Sequence, residues 1–87
     1  MSSPYRVEIS RTAERQLKAV AREHQSRLAK SMRGLALEPR PHGSHKLHGY
    51  EDVSRIRVGP YRIIHSVDDE RVVVIILKIG RRREVYR

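Results

Sequence analysis

Two runs of alternating β-branched and charged residues, 52–58 and 61–67, meet at Gly59-Pro60 within the stretch SRIRVGPYRIIHSV. No other part of the chain constrains the fold as tightly. A two-residue Gly-X loop suits a type II′ turn, and proline's fixed φ is acceptable at its second position, so the runs are predicted to pair as an antiparallel hairpin. The loop length then sets the register: Val58 faces Tyr61, Arg57 faces Arg62, Ile56 faces Ile63 and Arg55 faces Ile64. Side chains alternate across a strand, which puts Ile56, Val58, Tyr61, Ile63 and Val67 on one face and Arg55, Arg57 and Arg62 on the other. Like charges directly opposite in a sheet are destabilising. A fold that keeps such a pair points to function on the cationic face.

The remaining segments supply what covers the apolar face. Residues 5–9 alternate as a short strand. From Ala13 the period changes to i, i+4, i+7 and i+8 through Leu17, Val20 and Ala21, an amphipathic helix with Ser10 or Thr12 as N-cap. Leu28, Met32, Leu35 and Ala36 repeat the stripe in a second helix ending before Pro39, and the polar stretch around His24 to Ser26 is expected to join the two as an antiparallel hairpin. Residues 39–48, PRPHGSHKLH, read as a loop from their Pro, Gly and Ser content. After a turn at Asp68-Asp69-Glu70, residues 71–79 form a nearly continuous apolar strand, expected to be central, with Gly80 breaking it before RRREVYR. The predicted fold is α+β: an N-terminal strand, an antiparallel helix hairpin, then three to four strands in a mainly antiparallel sheet, with the helices on one face and the arginines left open on the other.

Eighty-seven residues make one domain, 1–87, able to bury about 60% of its unfolded surface. There is no cysteine, hence no disulfide framework or thiolate metal site. The N-terminus lacks an apolar leader and the longest apolar run, 72–77, is too short for a membrane span, so a soluble cytoplasmic protein is expected, with no membrane partner. Nineteen Lys and Arg against ten Asp and Glu give a formal charge of +9. An excess of that size favours a polyanionic partner: nucleic acid, an acidic protein, or both. With no Trp or Phe and four Tyr, RNA contact would rest on phosphate charge and a few tyrosines.

Three constellations carry candidate chemistry. Arg55, Arg57 and Arg62 suit a phosphate clamp, because guanidinium forks bind phosphate oxygens in pairs and stabilise charge developing on phosphorus; the plain alternative is a solvated sheet face. Arg81, Arg82, Arg83 and Tyr86 follow the strand that neighbours the arginine hairpin, where a tyrosine can stack on a base or donate a proton; the plain alternative is a solvated tail. His42, His45 and His48 have an unusual spacing for zinc and no carboxylate in their loop, so no metal or other cofactor is expected. His45 or His48 becomes an acid–base candidate only if the loop folds over the basic face. His65 falls on the core face by parity and is expected to be packed. No P-loop, G-x-S-x-G, H-E-x-x-H or carboxylate pair on the basic face is present, so phosphodiester chemistry here would use an RNA 2′-OH as nucleophile.

The element order, KLHG at residues 46–49, SRIRVGPYRIIHSV and VVVIILKIGRRREVY together resemble the RelE branch of the RelE/ParE toxin superfamily, across residues 5–87. The resemblance implies a toxin of a type II toxin–antitoxin pair that enters the ribosomal A site and cuts mRNA by 2′-OH attack, leaving a 2′,3′-cyclic phosphate. It also implies neutralisation by a cognate acidic antitoxin, and contact with operator DNA only through the toxin–antitoxin complex. By motif, the arginine of PYRI is Arg62, expected to stabilise the pentavalent phosphorane. The arginine following IG corresponds to Arg82, or to Arg81 if the register slips by one. Tyr86 of EVY is expected to stack on the scissile nucleotide or help protonate the leaving oxygen, and Lys46, Arg81 and Arg83 to contact RNA. The basic positions before the turn are Arg55 and Arg57, where the best-known members carry lysine. Arginine stays charged at any working pH and is a poor general base, so the 2′-OH must be activated by a histidine, the ribosome or electrostatics, and slower or altered cleavage is expected. One residue follows Tyr86, so the C-terminal helix of some relatives is not expected. The rival readings are a ParE-like toxin that inhibits DNA gyrase by binding, and a non-catalytic nucleic-acid-binding module.

Overall fold

The computed structural model describes residues 4–81. In chain order the elements are β1 (Arg6–Ile9), α1 (Arg11–Ala19), α2 (Arg22–Gly34), β2 (His45–Lys46), β3 (Val53–Val58), β4 (Tyr61–Asp68) and β5 (Val73–Arg81). They form one five-stranded sheet in the order β1-β5-β4-β3-β2, antiparallel except where β1 runs parallel to β5. The α+β reading therefore holds. Helix α1 packs over β5 and α2 over β3. Between helices and sheet, Ala13, Leu28, Met32 and Leu35 meet Ile56, Ile63, Val67, Val74, Ile76 and Ile79 in a single core. Burying these apolar surfaces is the main favourable term in folding, and it explains why the helical stripes and the Ile56/Ile63 face were readable in the sequence.

The hairpin has the predicted register, from Val58 opposite Tyr61 through Arg57 opposite Arg62 to Arg55 opposite Ile64. Gly59 sits at φ 59°, the positive value that the first central position of a type II′ turn demands. A Cβ there would stand 3.1 Å from Arg27 Nη1, so the absence of a side chain also makes room for an arginine of α2.

Three local expectations are corrected. The helices separate at Val20 and Ala21, both non-helical, and His24 to Ser26 lie inside α2. Polarity misled there: the Gln25 amide donates to the Val20 carbonyl at 2.8 Å, satisfying the end of α1 from within the first turns of α2. Gly80 does not end β5, because β4 begins at Tyr61 and its ladder continues through Arg62 opposite Gly80 to Tyr61 opposite Arg81. The loop over residues 39–48 contains β2, whose His45 and Lys46 pair with Arg55 and Ser54. Two residues are too few to show a period.

A bulge at Leu77 shifts the β4–β5 register, with Ile64 opposite Lys78 and His65 opposite Ile76. It lets Ile76 and Ile79, three apart, both enter the core. Ser10 anchors this irregularity. Its hydroxyl donates to the Leu77 carbonyl at 3.0 Å while accepting from Ala13 N–H at 3.0 Å as the N-cap of α1. Beyond Ile76 strand β1 has ended, and the Gln16 side-chain oxygen accepts from Ile79 N–H at 2.7 Å in place of a strand. Among the described residues no helix is long and apolar enough to cross a membrane.

Candidate nucleic-acid interface

The arginine face lies on the side of the sheet away from the helices. Arg55 and Arg57 come from β3 and Arg62 from β4, with Arg57 and Arg62 directly opposed. Arg57 is exposed, whereas Arg55 and Arg62 are partly buried. Ile64 shares this face and is only 6% exposed. Its cross-strand partners are Arg55 and Lys78, whose long aliphatic stems can shield it while their charged heads reach water. Lys78 is thus a further cation of this face that the sequence reading did not single out. The signal was available, since it is the only charged residue between Val72 and Ile79.

The loop before β2 folds against the same surface. Gly43, His45, Arg55, Arg57 and Arg62, with Ile56, line a depression of about 250 Å³. Directly opposed residues of an antiparallel pair project to the same face, so His45 stands on the side of Arg55, and Lys46, opposite Ser54, turns the other way. Lys46 instead lines a separate depression formed by residues 46–51. His48 belongs to that second depression and His42 to a third, beside Leu35, Leu37 and Val58. The three loop histidines are thus spread over three sites, and among the described residues no three His, Cys, Asp or Glu form a metal-binding group.

A second cluster holds this loop in place. Arg40 grips Asp69 with two bonds, Nη1 to Oδ1 at 3.1 Å and Nη2 to Oδ2 at 3.0 Å, and the Tyr5 hydroxyl donates to Oδ1 at 2.7 Å. The bonds from Arg40 and then Tyr5 hold the Asp69 carboxyl below its usual range, and the bond to Asp69 raises the Tyr5 phenol. One carboxylate therefore ties the chain before β1, the loop after α2 and the β4–β5 turn together. His65 adds a buried anchor: its Nε2–H donates to the Pro39 carbonyl at 2.8 Å, while Nδ1 has no partner among the described residues. Burial chiefly, and Arg40 in addition, push this imidazole below its ordinary value against the opposing effect of the Pro39 bond. It is packed, as its parity predicts, and remote from the arginine face in character.

Arg81 does not join Arg62. It pairs with Tyr61, and its guanidinium carbon stands 5.8 Å from the centre of the Tyr61 ring, which also meets the His24 ring at 5.3 Å. Tyr61 and Arg81, with Gln16, Val20 and Ile79, line a groove of about 450 Å³ on the helix side of the sheet. Arg82, Arg83 and Tyr86 lie outside the described residues.

A family model described as the ParE toxin of the type II toxin–antitoxin system parDE matches residues 7–86. Among solved structures, the chain is similar to the archaeal RelE of a RelE–RelB complex from Pyrococcus horikoshii, with 32% identity over 94% of this chain and 99% of that one and a TM-score of 0.82. The toxin–antitoxin complex RelBE2 of Mycobacterium tuberculosis follows at 28% identity, 97% and 98% coverage and a TM-score of 0.81. The isolated Escherichia coli RelE toxin matches at 28% identity, 94% and 90% coverage and a TM-score of 0.78. No curated protein sequence matches the chain.

Proposed function

This chain belongs to the RelE/ParE superfamily of type II toxin–antitoxin toxins, and from that premise we propose that it is a ribosome-dependent mRNA endoribonuclease acting in the A site. The observation that carries the reading is the arginine face, which collects Arg55, Arg57 and Arg62 around one depression on the open side of the sheet. A phosphodiester entering it would meet charge suited to a phosphorane, whose extra negative charge develops only in the transition state. The nucleophile is the RNA's own 2′-oxygen. It attacks the adjacent phosphorus, the bond to the 5′-oxygen of the next nucleotide breaks, and a 2′,3′-cyclic phosphate remains.

In this mechanism Arg62 neutralises the phosphorane, Arg55 and Arg57 hold the flanking phosphates, and Arg82 and Tyr86 complete the site, Tyr86 by stacking or by protonating the leaving oxygen. Lys46, Arg81 and Arg83 would then contact RNA outside the scissile phosphate, Arg81 from the helix side of the sheet. The partner is an acidic antitoxin: the net charge of +9 calls for one, and two of the similar toxins occur in complexes with RelB or as part of RelBE2. That antitoxin would cover the basic face or the helices, and the pair would bind operator DNA together.

The match to the ParE family model favours a second reading, a toxin that inhibits DNA gyrase by binding. One experiment separates them. Purified chain is added to ribosomes translating a defined mRNA, 5′ ends are mapped by primer extension, and gyrase supercoiling is assayed in parallel. Cuts within the A-site codon that need ribosomes and vanish with Arg62→Ala support the nuclease, whereas intact mRNA with blocked supercoiling supports the gyrase reading.

A further inference from the structure

Among the described residues, the arginine depression contains one group able to take up a proton. Of its lining side chains, Arg55, Arg57 and Arg62 remain protonated at any working pH, and Gly43 and Ile56 have nothing to titrate. His45 is the exception. It is exposed, so RNA can reach it, and it is placed by the backbone: its pairing with Arg55 sets it on the arginine side of β2, next in the ladder to the Arg57/Arg62 pair. Among the described residues the charged groups facing it are Arg55 and Arg57 from β3 and Arg62 from β4, while Lys46, its neighbour along β2, projects to the opposite face. Among the described residues no carboxylate lines the depression.

We propose that His45 is the general base that accepts the proton of the attacking 2′-hydroxyl, an assignment that rests on the nuclease reading above. A free ring nitrogen of the neutral imidazole takes the hydroxyl proton as the 2′-oxygen bonds to phosphorus. The bond from phosphorus to the 5′-oxygen breaks, and that oxygen takes a proton from water or from an acid at the leaving side. The imidazolium afterwards returns its proton to solvent, so the reaction ends with no net gain or loss of protons. The division of labour is physical: arginines supply charge that never titrates, and the histidine supplies the lone pair they lack.

The test is single-turnover cleavage of ribosome-bound mRNA between about pH 5 and pH 8, the range where imidazole changes charge. It compares the unsubstituted chain with His45→Gln, and measures the affinity of each for ribosomes carrying an A-site codon whose 2′-hydroxyls are replaced by hydrogen. The expected result is a rate that climbs with pH and levels off for the unsubstituted chain. For His45→Gln we expect a rate lower by about 100- to 10,000-fold, without the levelling, at unchanged affinity for the deoxy codon. Cleavage by His45→Gln at the original rate, or a rate lost only in step with affinity, would overturn the proposal and leave the nuclease standing. No cleavage by the unsubstituted chain would overturn both.

Discussion

Arg57 and Arg62 stand directly opposite one another across the β3–β4 ladder, on the face that no helix covers among the described residues. Two like charges in that relation weaken a sheet, and removing one should do the reverse. Arg57→Gln is therefore expected to keep or raise stability, by about 0.5 kcal/mol, while cleavage of ribosome-bound mRNA falls. Thermal unfolding and single-turnover rates on the same preparation check the two directions. A variant that loses stability and activity together would place Arg57 among the structural residues.

For Arg62→Ala the expected loss of cleavage is about 100- to 1,000-fold, the usual consequence of removing one charge-stabilising donor from a transition state. Circular dichroism should show the fold intact. Normal cleavage by this variant would refute its assignment to the phosphorane.

The buried imidazole of His65 makes stability depend on pH. Its folded pKa lies below the ordinary 6.5, because burial disfavours the charged ring. The unfolded chain then binds the proton more readily than the folded one, so this contribution is complete above about pH 6.5 and is lost as pH falls toward the folded value. Urea midpoints at neutral and mildly acidic pH should show the decline. In His65→Leu the slope should flatten, although the variant starts lower by about 1 to 3 kcal/mol because the Pro39 carbonyl loses its donor.

Gly59 and Val72 share a φ of 59°, with opposite consequences. A side chain in the left-handed region costs about 1 to 2 kcal/mol, and a β-branched one fits it badly. Gly59→Ala should lower stability by about 1 kcal/mol, since the new Cβ also crowds Arg27. Val72→Gly should raise it, by about 0.5 kcal/mol once the extra freedom of glycine in the unfolded chain is counted. Equal signs for the two substitutions would contradict the backbone assigned to one of them.

The parts of this molecule legible in its sequence are those fixed by short-range geometry. A two-residue Gly-Pro loop leaves one register for residues 52–67, and every pair it predicted from Arg55 opposite Ile64 to Val58 opposite Tyr61 is present. Features set by distant partners were hidden. Nothing local marks Leu77 as a bulge, because its reason lies in Ser10, sixty-seven residues away. The fold-back of His45 depends on two ladder pairs with β3 and on the grip of Arg40 on Asp69, neither of which leaves a periodic trace. The same holds for the helix boundary at Val20, which is set by a side-chain bond from Gln25 rather than by a glycine or proline.

The early end of β1 has a consequence for how copies of this chain meet one another. Parallel pairing stops at Ile9 opposite Ile76, so residues 77–81 of β5 offer an outer edge with no strand beside it among the described residues. An edge of that kind is a template on which another chain can grow a sheet. Here one hydroxyl and one amide, from Ser10 and Gln16, occupy backbone sites that an incoming strand would need. Replacing Gln16 with leucine would leave the folded unit nearly unchanged and uncover the Ile79 N–H. Its first visible effect would then be concentration-dependent clumping of folded copies, seen by light scattering before any loss of helix signal.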